Sequence, residues 1–169
     1  MSTSPSAAAR ALIILPAALA TCGAVVAIDQ GSKALVNSHL ARGERVHVLP
    51  FLAFHNTRNR GVAFGLAGDV SAALIGGAIA ALVLFLLVLA FRDDGSKMVW
   101  LPAGLLVGGA LANLADRARQ GAVTDFIDLP AWPTFNLADA AIVAGVLMLA
   151  LFAERGVRAD SPAERPGAR

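Results

Sequence analysis

The sequence predicts a membrane all-α bundle of four transmembrane helices, with a small cap of β-rich or irregular chain between the first two. Three observations carry this. Of 169 residues, 57% are apolar and only 15% charged, against roughly 25% charged in a soluble domain. The mean hydropathy is +0.66. The apolar residues also fall into long uncharged blocks instead of a soluble helix's one-sided pattern.

The blocks can be taken in order. Residues 1–10 are rich in Ser and Ala and read as a disordered tail. The first block runs from Ala11 to Ile28 and stops at Asp29. The second runs from Val70 to Phe91 and the third from Met98 to Ala115; the fourth starts near Phe135 and reaches Ala153, with Asp139 its only charge. A bilayer core of about 30 Å needs about 20 helical residues, so each block is long enough to span it. Spans are expected at about 11–29, 70–91, 98–117 and 136–153, which together make one membrane domain over 11–153. The stretch from about 34 to 68 forms the cap. The stretch Arg92 to Lys97 is a tight polar turn, and residues 154–169 read as a second disordered tail. A rival reading makes the first block a signal peptide cleaved near Cys22, but three further spans favour an anchored membrane protein.

Composition excludes several function classes. Lys and Arg are scattered, without the basic, aromatic-interleaved surface that nucleic acid requires. The single cysteine, Cys22, allows no intramolecular disulfide. The histidines His39, His47 and His55 lack neighbouring ligands for a metal site, so no metal or cofactor is expected. Positive charge does not orient the bundle, because the two sides carry seven Lys or Arg each.

Polar residues gather at one membrane face. Alternating spans bring Asp29, Asn113, Asp116, Arg117, Asn136 and Asp139 to that face, together with the cap and the Arg119 to Thr134 loop that holds Asp125. Such residues are costly near hydrocarbon, so their convergence marks a functional site. Asn113, Asp116 and Arg117 sit at i, i+3 and i+4, and Asn136 and Asp139 at i and i+3, so each set shares a helix face. Two alternatives stand at this point. The polar faces could be interhelical glue, with Gly104, Gly108 and Gly109 permitting close packing, and Asp29 with Lys33 could be a plain i, i+4 ion pair. A catalytic reading has only carboxylates to work with, since no Ser–His or Ser–Lys set and no metal set is present. Two close carboxyls cannot both ionise, so one serves as base and the other as acid toward a water and a peptide bond. Asp139, near the start of its helix, is expected to be the more readily ionised.

Five stretches then form a recognisable pattern: Asp29-Gln30-Gly31-Ser32-Lys33, Asn59-Arg60-Gly61-Val62-Ala63-Phe64-Gly65, Gly108 through Arg117, Val123-Thr124-Asp125-Phe126 and Phe135-Asn136-Leu137-Ala138-Asp139. In order and spacing they resemble the bacterial signal peptidase II family, the lipoprotein signal peptidases. The resemblance runs from Asp29 to Asp139. It implies an aspartic endopeptidase, multi-pass in the inner (cytoplasmic) membrane, that cuts the signal peptide from a prolipoprotein just before its diacylglyceryl-modified cysteine. It also implies Asp125 and Asp139 as the catalytic pair. Asn113 and Arg117, Asn136, Asp29 with Lys33, and Asn59 with Gly61 would shape the site or bind substrate, and Asp116 would be structural. The implied fold is four transmembrane helices with a small periplasmic β-cradle and a short helix over the site. The termini would be cytoplasmic and the active site near the outer leaflet surface. The implied partners are the lipidated prolipoprotein and membrane lipid, with the chain a monomer and no cofactor required. Thr124 stands where Val is common in the family, and Ala112 where Gly is common. A small transporter and a non-catalytic scaffold are the readings from other classes.

Overall fold

The computed structural model describes residues 7–60 and 99–160. Within them the chain forms α1 (Ala7–His39), β1 (Arg45–Leu49), β2 (Leu52–Asn59), α2 (Trp100–Gln120), β3 (Val123–Asp128) and α3 (Leu137–Asp160). The expected second span, the polar turn after it and Gly61 lie outside the described residues. Among those described, no helix is long and apolar enough to cross a membrane. The short helix implied over the site is not among the described elements.

Helix α2 is the centre of the bundle, packed on α1 along one side and on α3 along the other. Glycine sets these distances. A Cβ on Gly108 would lie 2.8 Å from Cβ of Val25 and 2.9 Å from the carbonyl oxygen of Cys22. One on Gly109 would lie 2.5 Å from the carbonyl oxygen of Ala138, a backbone atom that cannot yield. The glycines therefore let the backbones touch, as in membrane helix pairs. Helix α2 ends where Gly121 turns left-handed (φ 66°) and returns its N–H to Arg117 O.

The cap is an antiparallel sheet in the order β1-β2-β3. Its third strand comes from far along the chain, between α2 and α3. Thr57 faces Asp125, Phe54 faces Ile127, and Val46 faces Phe54, with register shifts after Phe54 and His47. Phe135 pairs back onto Ile127 on the free side of β3.

Three expected boundaries move. Helix α1 starts at Ala7 and continues ten residues past Asp29, so residues 7–10 are not tail and 34–39 are not cap. Alanines are the best helix formers, and a charge ends a membrane span without ending a helix. Helix α3 likewise continues to Asp160 through Glu and Arg, which sustain helix well. The Arg119 to Thr134 loop contains a strand, because Val123, Thr124, Phe126 and Ile127 are β-branched or aromatic and find a partner in β2.

Candidate active site

The site forms where the ends of α1 and α2, the start of α3 and strand β3 meet. Asn136 is the residue before α3, and it caps the helix. Its Oδ1 accepts the Asp139 N–H at 2.9 Å, while Asp139 Oδ2 accepts the Asn136 N–H at 3.3 Å. This is a reciprocal capping box, which satisfies two N–H groups that a helix start leaves open. A third, from Ala138, goes to Asp29 Oδ1 at 2.9 Å. A carboxylate from α1 thus also sits at the positive end of α3.

The same Asn136 reaches the second carboxylate. Its Nδ2 donates to Asp125 Oδ1 at 2.7 Å and to Asn113 Oδ1 at 3.2 Å. Asn113 Nδ2 donates in turn to Asp139 Oδ1 at 2.8 Å. Asn136, Asn113 and Asp139 therefore close a ring of hydrogen bonds, and Asp125 is joined to it through the Asn136 amide. Asn59 Nδ2 holds the other oxygen of Asp125 at 3.0 Å. The register explains this bond: Asn59 lies two residues beyond Thr57, the partner of Asp125, and so points to the same face of the sheet.

Asp125 is only 2% exposed. Burial, and then the negative charge of Asp139, push its carboxyl up to about 6, against the opposing pull of the Asn59 and Asn136 donors and of Lys33.

Behind the ring lies a buried ionic cluster. Lys33 Nζ contacts Asp29 Oδ2 at 2.7 Å, Asp116 Oδ2 at 2.9 Å and Asn113 Oδ1 at 3.2 Å, which occupies all three ammonium donors. Asp29, Lys33 and Asp116 are each at most 3% exposed. Two carboxylates against one ammonium leave a formal charge of −1, spread over further donors: Ala138 N–H on Asp29, Thr124 N–H on Asp116 at 3.2 Å, and Gln30 Nε2 on Asp116 Oδ1 at 2.8 Å. The Lys33 bond to Asn113 ties the cluster to the ring.

Of the residues singled out by sequence, Asp29, Lys33, Asn59, Asn113, Asn136, Asp125 and Asp139 come together in this network. Arg117 stands apart: among the described residues its Nη1 reaches the carbonyl oxygen of Asn113 at 3.5 Å and no member of the network by its side chain. Sequence reasoning missed Gln30, which also accepts from Arg119 Nη1 at 3.0 Å. Its position beside Asp29 in the first motif was the available signal.

The family model for signal peptidase (SPase) II matches residues 21–154. A lipoprotein signal peptidase of Halothermothrix orenii is 40% identical over 131 residues, which is 76% of this chain and 88% of that protein. One from Coxiella burnetii is 40% identical over 136 residues, covering 76% and 83%. A solved structure described as a bacterial membrane enzyme, determined by the in meso method, superposes with a TM-score of 0.68 at 28% identity, covering 90% of this chain and 93% of its own. A second with the same description gives 0.65 at 31% identity, covering 80% and 90%. The chain belongs to the signal peptidase II family of peptidases.

Proposed function

We propose that this protein is an aspartic endopeptidase of the cytoplasmic membrane that removes the signal peptide from diacylglyceryl-modified prolipoproteins, cutting before the lipidated cysteine. Asp125 and Asp139 are the catalytic pair. The observation that carries the reading is that one residue, Asn136, donates its side-chain amide to Asp125 and its backbone N–H to Asp139, while burial and Asp139 push Asp125 up to about 6.

The chemistry follows from the different supports. Each carboxylate accepts two N–H donors, but Asp139 alone lies in the first turn of α3, where the positive end of the helix favours the charged form. Asp125 holds the proton. Asp139 takes a proton from a water as its oxygen adds to the scissile carbonyl carbon, and Asp125 passes its proton to the carbonyl oxygen. The tetrahedral diol collapses when the proton on Asp139 moves to the departing cysteine nitrogen and Asp125 recovers its own. No covalent enzyme intermediate is needed. Asn113 and Asn136 hold the two carboxylates at fixed separation, and Asn59 fixes the second oxygen of Asp125. The Asp29–Lys33–Asp116 cluster holds three helices and β3 in register beneath them.

Four membrane spans, with the sheet on the outer side, account for the large apolar residues left exposed on all three helices: Leu15, Leu19 and Ile28 on α1, Leu111 and Leu114 on α2, and Val143, Leu147 and Leu151 on α3. A lipidated substrate confined to the outer leaflet reaches such a site by lateral diffusion. Incubation of the purified chain with a diacylglyceryl-modified prolipoprotein, followed by mass spectrometry of the products, tests the activity. The expected product begins at the lipidated cysteine; an uncut substrate, or a cut elsewhere, rules the activity out.

A further inference from the structure

One end of the sheet carries no charge on its connecting segments. Leu49 pairs with Leu52 at the close of the β1–β2 hairpin, and Ala53 pairs with Asp128 at the end of β3. The hairpin turn and the loop after β3 therefore leave the sheet on the same side. Their sequences are Val48-Leu49-Pro50-Phe51-Leu52-Ala53 and Leu129-Pro130-Ala131-Trp132-Pro133-Thr134-Phe135, without an ionisable residue between them. The one carboxylate at this end, Asp128, is buried and held by Arg45 Nε at 2.8 Å. Apart from this ion pair, the charges on the cap collect toward the other end, on Arg42, Glu44, Arg58 and Arg60.

At the apolar end, large side chains face outward. Phe51 is 62% exposed and Trp132 61%, with Val48 and Leu49 about half exposed beside them. Trp132 is presented by a built turn. Its N–H returns to Leu129 O at 3.2 Å, Pro130 holds the first corner, and Ala131 takes the second at φ 58°, a left-handed conformation that normally calls for glycine. A strained turn closed by an exposed aromatic fits a surface that the ring contacts.

We propose that this end of the sheet dips into the outer leaflet, with Phe51 and Trp132 at headgroup depth and the phospholipid interface as their partner. The proposal rests on the membrane reading above and adds which part of the cap is immersed. Lipid is favoured by the lack of charge on both connecting segments and by aromatic rings, which concentrate at membrane interfaces. Continuity favours it as well, since Phe135 lies two residues before α3, whose exposed Val143, Leu147 and Leu151 extend the apolar surface. The consequence concerns the site. Asp125 is three residues, about 10 Å, from the immersed end of its strand, and the row Val46–Phe54–Ile127 lies between. The catalytic strand is thereby held at a set height over the leaflet that contains the substrate's lipid.

The chain has two tryptophans and no tyrosine, so Trp100→Phe leaves Trp132 as the one strong emitter. The full-length variant is reconstituted in phosphatidylcholine vesicles, and its co-flotation with them is measured first. The expected result is emission quenched by brominated phosphatidylcholine and screened from aqueous iodide, and the same for Phe51→Trp in a chain lacking both natural tryptophans. A chain that floats with the vesicles but keeps Trp132 open to iodide and untouched by brominated lipid overturns the proposal and leaves the membrane reading standing. Screening that appears only when a lipid-anchored peptide is added assigns the surface to substrate and also overturns it. A chain that does not float overturns both readings. If Trp100→Phe does not accumulate, the difference spectrum between the natural chain and Trp132→Phe gives the same comparison.

Discussion

Asn136 and Asp139 close the first turn of α3 upon each other, side chain to backbone in both directions. The proposed catalytic base is therefore also part of a helix cap, and its position is fixed by the same bonds that start the helix. Replacing Asn136 by Ala removes the cap, worth about 1 kcal/mol, and the 2.7 Å donor to Asp125. The expected outcome is a folded protein, slightly less heat-stable, with kcat lowered far more than KM is raised. Thermal denaturation and cleavage kinetics measure the two effects separately. A variant that loses stability but keeps its kcat would limit Asn136 to capping.

The ionic cluster makes a different prediction. Lys33 is buried against two carboxylates, and removal of one member of a buried ion network costs about 3–5 kcal/mol because the remaining charges are left unpaired. Lys33→Met should accumulate poorly and melt early. Adding Asp29→Asn and Asp116→Asn to it should recover part of the loss, since no uncompensated charge then remains. Absence of any recovery in the triple variant would mean that the cluster's charges do not govern stability.

Helix spacing can be tested at Gly109. An added Cβ meets the Ala138 carbonyl oxygen at 2.5 Å, so Gly109→Ala must push α3 away from α2 at the level of the Asn113–Asp139 bond. Activity should fall while the membrane-inserted chain persists, and Gly23→Ala, where a Cβ meets nothing within 4 Å, should leave activity unchanged. Equal effects of the two substitutions would contradict the packing argument.

Asp125 sets the pH dependence. Its carboxyl is raised from an ordinary 3.8 to about 6, so between those values the folded protein binds more protons than the unfolded chain. Stability from this group is therefore complete below the unfolded value and lost as pH rises through about 6. In kcat/KM the proton on Asp125 should appear as an alkaline limb starting near 6. Asn59 pulls this carboxyl down, so Asn59→Ala should move the limb to higher pH. A limb that stays in place, or moves down, would remove Asn59 from control of that proton.

Much of the site was legible from spacing, and the reason is physical. Asn136 with Asp139, and Asn113 with Asp116, are local pairs on one helix, and alternation of apolar blocks sends their ends to one face. The glue reading was also correct as far as packing goes, since Gly108 and Gly109 do bring the helices into contact. What spacing could not supply was pairing across the chain. Strand β3 is six residues long and joins β2 across more than sixty residues of sequence, so Asp125 was read as part of a loop; the family resemblance brought Asn59 to the site but did not name its bond to Asp125. Gln30 was missed for a similar reason, because its partners Asp116 and Arg119 lie more than eighty residues away. The ends of α1 and α3 were misplaced because hydropathy marks where a membrane stops, and helix propensity continued beyond it.

The proposed acid and base roles of Asp125 and Asp139 are tested most directly by cleavage of a diacylglyceryl-modified prolipoprotein by Asp125→Asn and Asp139→Asn chains, each reconstituted alongside the natural protein. Both variants should accumulate in the membrane, and cleavage should drop by about 10²–10⁴-fold or more, the scale of a lost general acid or base. Cleavage near the natural rate by either one would contradict the assignment.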